Sequence, residues 1–159
     1  MLFRSRNTDK VAGIAGIYPV FDLTTYPGIK KAAAAYKLSE GDLVAAINQH
    51  NPIEKVGVLA KAKIPIFLIH GDVDNVVPIK QNSARVAKIY KNTPGAKQFV
   101  ELDVVAGQDH NFFEGFFTSQ KLVDFTIKQA KSGAKATPPR KLVPAPEGVE
   151  VLRDITFST

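Results

Sequence analysis

Three stretches of the chain read as strands, and the first of them runs apolar without alternating with polar residues. Val11-Ala-Gly-Ile-Ala-Gly-Ile-Tyr-Pro-Val20 suits a strand covered on both faces, because a strand inside a parallel sheet presents apolar side chains on each side. Pro65-Ile-Phe-Leu-Ile-His70 is the strongest of the three and runs into Gly71. The third spans about Gln98 to Val105 and ends at Ala106-Gly107.

Helical patterns separate these runs. Ile29 to Lys37 is alanine-rich and favours a helix by propensity. Ser39 is followed three residues later by Asp42, the spacing of a capping box on a short helix. Asn51-Pro52 places a cap and a first-turn proline ahead of another helix, with Leu59 and Ala60 facing inward. Residues 79–92 are amphipathic, with Ile79, Val86 and Tyr90 on one face. Residues 112–131 predict a last helix, with Phe116, Val123, Ile127 and Ala130 in register. Strands alternating with helices imply a parallel sheet with right-handed crossovers. The predicted fold class is therefore α/β, a three-layer sandwich with about three parallel strands at 11–20, 65–71 and 98–106.

Beyond residue 131 the pattern changes. Residues 132–147 read as a basic, proline-rich linker, and four of the ten prolines fall within 138–146. Residues 148–159 have a strand-like core in Val149, Val151, Leu152 and Ile155. Overall composition is that of a globular domain of 159 residues, 45% hydrophobic and 23% charged. The net charge is +6, but Lys128, Lys131, Lys135, Arg140 and Lys141 lie together without an acid or an aromatic residue among them. A single-strand nucleic-acid surface interleaves cations with aromatics, so a solvated basic linker is the simpler reading and no nucleic-acid partner is expected. No run approaches the ~20 apolar residues of a membrane helix, and the first residues lack the apolar core of a signal peptide. With no cysteine in the chain, thiolate metal sites, disulfides and cysteine nucleophiles are excluded. The compartment stays open.

Ligands of open parallel sheets bind beyond the carboxyl ends of the strands, and the polar residues of interest fall there. Asp72 and Asp74 follow the second strand; His110 follows the third. An aspartate on one strand-end loop can orient and stabilise an imidazole on the next, which then acts as general base. Taken singly, each residue is more ordinarily a turn former, a helix cap or a surface side chain. The surrounding strings say more. His70-Gly-Asp-Val-Asp-Asn-Val-Val-Pro78 and Gly107-Gln-Asp-His-Asn-Phe-Phe-Glu-Gly115, in that order, resemble the acid loop and histidine loop of α/β-hydrolases. The nearest branches are prolyl-oligopeptidase-type and carbohydrate-esterase-type hydrolases. The resemblance covers about residues 5–131 and extends to Asn51-Pro52 and to the helix after Pro78.

That resemblance implies a serine hydrolase acting on esters, peptides or carbohydrate esters, without a cofactor or a metal. Asp74 matches the triad acid and His110 the base, while Asp72 shapes the turn. Two departures stand out. Asp109 occupies a position that is often glycine in the family, and a second carboxylate there competes for the imidazole. The nucleophile is the larger one. The family order is nucleophile, acid, histidine, with the serine in a G-x-S-x-G elbow. Serines occur at 5, 39, 83, 119, 132 and 158, and none has that context. The expectation is thus the C-terminal half of an α/β-hydrolase fold, with residues 1–131 forming that part and 148–159 resembling the opening strand of a further domain. Such a chain has acid and base but is inactive alone. The alternative is a non-catalytic remnant or binding module that pairs with a partner chain or a small molecule. Strand 11–20 would then be an open edge, available for self-association or for a complementing N-terminal half.

Tyr18, Asp22, Phe112 and Phe113 are the substrate-pocket candidates, near the strand-end loops; for the phenylalanines helix packing is the simpler role. His50 reads as an exposed polar residue. Gly13 and Gly16 lie inside a strand and do not make a phosphate loop.

Overall fold

A computed structural model describes residues 7–134. The strand-like tail at 148–159 and all but the first three residues of the expected linker lie outside the described residues. Three strands, β1 (Ile14–Ile17), β2 (Ile66–Gly71) and β3 (Val100–Val105), form an all-parallel sheet in the order β1-β2-β3. Ile14 pairs with Ile66, and Ile66 with Val100. Helices fill the connections: α1 (Ile29–Tyr36), α2 (Glu40–Ala45), α3 (Ile47–His50), α4 (Val56–Lys61) and α5 (Ser83–Asn92), then α6 (Glu114–Phe117) and α7 (Gln120–Ala134) after β3.

β2 is central, and all six of its residues are buried. Its side chains alternate between two cores, as the two-residue period of a strand requires. Ile66 and Leu68 pack with Val56, Leu59, Val86 and Tyr90 of α4 and α5. Phe67 and Ile69 pack with Phe116 of α6 and with Leu122 and Phe125 of α7. This is the three-layer arrangement expected of a run apolar on both faces. Tyr90 is fully buried, and its hydroxyl donates to the Ile64 carbonyl at 2.8 Å.

Several expectations need correction. The strand expected at 11–20 is only four residues long, and Ile14 is its one buried residue. It pairs with β2 alone among the described residues, so it is an edge of the described sheet, and it is not the strand covered on both faces that its apolar run suggested. It ends where Tyr18 takes a positive φ of 32° ahead of Pro19. β3 begins at Val100, two residues late, because Lys97–Phe99 form a 3-10 turn. The amphipathic helix begins at Ser83, not Ile79; residues 79–82 close a turn through Asn82 N–H to the Ile79 carbonyl at 3.2 Å.

The helix expected over 112–131 is broken. Thr118 leaves helical geometry after α6, and α7 starts afresh with Ser119 accepting the Leu122 N–H at 3.4 Å. The restart resets the phase. Val123 and Ile127 are 43% and 46% exposed, while Leu122 and Phe125 face the sheet. α7 continues to Ala134, so residues 132–134 are helical where a linker was expected. At Gly133 a Cβ would lie 2.8 Å from Ala12, so the helix end packs closely on the approach to β1. Ser39 does cap α2, accepting the Asp42 N–H at 3.0 Å. Asn51 does not cap; its side chain is committed elsewhere, as described below.

Candidate active site

The loops after β2 and β3 are sewn together before any functional side chain is placed. Gly71 ends β2 against the backbone of Gln108, where a Cβ would fall 2.0 Å from the Gln108 carbonyl oxygen. Only glycine permits that approach. The next residues bond across: Asp72 N–H to the Val105 carbonyl at 3.2 Å and Val73 N–H to the Gln108 carbonyl at 3.2 Å. The Asp72 carboxylate accepts the Gly107 N–H at 2.6 Å, which makes it the turn residue expected of it.

Asp109 completes the seam. Its Oδ1 accepts the Asn75 N–H at 2.8 Å and the His110 N–H at 2.7 Å. These backbone donors, Asn75 first, hold its carboxyl below the ordinary carboxylate range. The expectation that Asp109 competes for the His110 ring is therefore corrected: the ring bonds to Asp74, and Asp109 bonds backbone.

Asp74 and His110 meet across this seam. Asp74 Oδ2 lies 2.9 Å from His110 Nδ1. The carboxylate is wholly buried while the imidazole is 30% exposed. Asp74 Oδ1 accepts two backbone donors, Val76 N–H at 3.0 Å and Val77 N–H at 2.7 Å. The carboxylate is thus gripped on one oxygen and aimed at the imidazole with the other. A carboxylate accepts only, so His110 Nδ1 carries a proton, and in the neutral ring Nε2 is then the acceptor. Among the described residues Nε2 has no hydrogen-bond partner. A fixed tautomer with an available Nε2 is the arrangement a general base requires.

A second histidine stands on the same carboxylate. His70, fully buried at the end of β2, has Nε2 at 2.8 Å from the Val77 carbonyl and 3.3 Å from Asp74 Oδ2. Its Nδ1 lies 2.7 Å from Ser83 Oγ. Burial pushes this imidazole below its ordinary range, outweighing the Val77 carbonyl and Asp74, which raise it. It is therefore neutral at pH 7, with the proton on Nε2 facing the two acceptors. Sequence reasoning overlooked this role. The available signal was a lone polar residue ending a wholly apolar strand, four residues before the acid.

The pocket candidates separate. The Tyr18 ring lies 4.2 Å from the His110 ring, centroid to centroid, and meets Phe116 and Phe117 edge-on. Phe113 packs edge-on against Phe116. Phe112 is 93% exposed and stacks on Phe117. An aromatic rim thus flanks the imidazole.

Asp22 belongs to another cluster. Its Oδ1 accepts from the Thr24 N–H, the Thr24 hydroxyl and the Asn51 amide at 3.0, 2.7 and 3.0 Å, and Arg85 approaches Oδ2 at 3.4 Å. Burial alone would raise this carboxyl, but the Thr24 and Asn51 bonds, with Arg85, hold it below the ordinary range. Asn51 also accepts the Leu23 N–H at 3.0 Å, so it staples a distant loop instead of capping a helix.

Each described serine is engaged away from His110. Ser39 caps α2, Ser83 meets His70, Ser119 caps α7, and Ser132 donates to the Gln129 carbonyl. His50 Nδ1 is buried without a partner, and its ring leans on Tyr36. The described residues hold no group of three or more His, Asp or Glu suited to a metal ion. None of their helices is long and apolar enough to cross a membrane. Cavities of about 430 Å³ between Lys10–Gly13 and Gln129 and about 700 Å³ along α5 at Lys80 and Lys88 are lined by neither Asp74 nor His110. Position beyond the strand ends, not cavity size, is what marks the Asp74–His110 pair. No protein-family model matches the chain, and no curated protein matches it.

Proposed function

We propose that this chain contributes the acid and the base of a serine hydrolase of the α/β-hydrolase type, acting on ester or peptide bonds. The observation that carries the reading is the 2.9 Å contact between buried Asp74 and part-exposed His110 at the ends of adjacent parallel strands. In this reading the nucleophile and the oxyanion donors come from polypeptide outside residues 7–134. His110 Nε2 takes the hydroxyl proton as the serine oxygen bonds to the carbonyl carbon. Asp74 stabilises the imidazolium, which returns the proton to the departing alcohol or amine. Water repeats the cycle on the acyl-enzyme and releases the acid. Tyr18 and the phenylalanine rim then border the substrate.

The test uses a fluorophosphonate probe, intact mass and ester hydrolysis. The folded chain alone is expected to give no adduct. Adding a polypeptide that bears a G-x-S-x-G elbow is expected to produce both adduct and hydrolysis. His110→Ala is expected to abolish the hydrolysis, and Asp74→Asn to lower it by about 10⁴-fold, the scale of a lost imidazole tautomer. An adduct on one of the chain's own serines would overturn the outside nucleophile. Hydrolysis indifferent to Asp74 and His110 would overturn the reading itself. No hydrolysis in any pairing would leave the chain as a binding remnant.

A further inference from the structure

Asp74 Oδ2 faces two imidazoles, and the hydrolase mechanism uses only one. Building the other into the end of an apolar strand is costly. A buried imidazole must have its polar atoms satisfied, a demand that leucine would not make. Here both nitrogens are satisfied, and the partners fix the proton. The Ser83 hydroxyl donates to Nδ1 at 2.7 Å, and the Val77 carbonyl accepts from Nε2–H at 2.8 Å. Asp74 Oδ2 lies 3.3 Å from that same nitrogen.

Val77 ties the arrangement into a ring, because its own N–H bonds Asp74 Oδ1 at 2.7 Å. One end of the carboxylate is held by the turn, and the turn is held by His70. Rotation of the carboxylate away from His110 would break these bonds in a fully buried place, where unmet polar groups are expensive.

We propose that His70 is a positioning residue for the relay, its tautomer set by the acceptor-only Val77 carbonyl and its ring held in place through Nδ1 by the Ser83 hydroxyl. Its Nε2–H keeps the Asp74–Val77 turn closed and Asp74 Oδ2 directed at His110. This deepens the hydrolase reading above and rests on it. His70 touches no substrate; it acts through Asp74. Loss of its N–H should loosen the Asp74–His110 bond while the sheet stays intact.

The test is ring ¹H–¹⁵N NMR of the full chain with labelled histidine, following the His110 Nδ1–H resonance, which a carboxylate partner moves downfield. Asp74→Asn is expected to remove the downfield position; if it does not, the dyad and with it the hydrolase reading fall, whatever His70 does. Given that loss, His70→Leu is expected to broaden or remove the resonance while the backbone amides of β2 and β3 keep their dispersion. His70→Gln, whose amide can donate where Nε2–H did, is expected to restore it. A merely structural histidine would not show that rescue. An unchanged His110 resonance in folded His70→Leu would overturn the proposal. Should His70→Leu fail to fold, Ser83→Ala decides: a shifted or broadened resonance supports the positioning role, and an unchanged one overturns it.

Discussion

Asp22 and Asp74 are both nearly inaccessible, 5% and 4% exposed, yet their hydrogen bonding differs. Asp22 is closed off. Thr24 and Asn51 saturate one oxygen, Arg85 neutralises the other, and Arg85 also reaches Glu54 at 3.0 Å. Asp74 is closed on one side only. Its Oδ1 is saturated by backbone, and its Oδ2 leads through His110 to a nitrogen free among the described residues. Burial therefore does not distinguish a carboxylate closed into its own cluster from one that leads to a part-exposed imidazole. What distinguishes them is whether the hydrogen-bond chain ends inside the protein or at its surface.

The largest effect expected is at the seam that brings Asp74 to His110. Gly71→Ala would drive a Cβ into the Gln108 carbonyl, a backbone atom that no rotamer change relieves. A loss of more than about 3 kcal/mol is expected, at or above the upper range for overpacking, together with loss of the His110–Asp74 contact. Urea unfolding and the His110 ring resonance measure the two. A stable variant with the contact intact would mean the loops can approach without that glycine.

Next in size is the Asp22 side. Asn82 is fully buried, and its Oδ1 accepts both the Phe21 N–H at 2.7 Å and the Asp22 N–H at 2.9 Å. Asn82→Ala strands both donors, an expected cost of about 3 kcal/mol from two unmet buried groups. Asp74→Asn keeps the Oδ1 acceptor and is expected to cost only about 1 kcal/mol while removing the relay. Equal destabilisation by the two variants, read from urea midpoints, would erase the contrast between knot and relay.

The smallest effect is in acid, where the two clusters fail in different windows. His70 is held below its ordinary value, so the unfolded chain binds its proton first. Its contribution is complete above about pH 6.5 and is lost as pH falls from there through the folded value. Asp22 is held below the ordinary carboxylate value. Its contribution is present above about pH 4 and is lost as pH falls through its own folded value. Stability measured against pH should therefore decline in two stages. His70→Gln should flatten the upper one and Asp22→Asn the lower. A single decline below pH 4, unaffected by His70→Gln, would remove His70 from the account.

The contrast between these sites was only half legible in the residues. Asp74 and His110 stood out because each follows a strand within a string that resembles a hydrolase acid or histidine loop, and ends of adjacent parallel strands fall at one edge of a sheet. Asp22 was grouped with the substrate pocket because it lies in the loop after the first strand, and its partners lie far along the chain; the Asn82 amide that bonds its N–H is 60 residues away. Asp109 was set against His110 because they are neighbours, but its main partner is Asn75, 34 residues off. The last helix shows the same limit. A pattern read through Thr118 put Val123 and Ile127 inward, and a local break turned them out.

From sequence alone came the parallel α/β class, the strand at 65–71, the Ser39 cap and the placement of Asp74 and His110 beyond the ends of two strands. These follow from local periodicity and propensity, which act over a few residues and need no distant partner. Only the tertiary structure decided that Asp22 is a knot, that Asp109 holds backbone and that His70 stands on the Asp74 carboxylate. Each of those depends on which buried polar group finds which partner. Such partners are brought within 3 or 4 Å by packing, from positions that the order of residues does not place side by side.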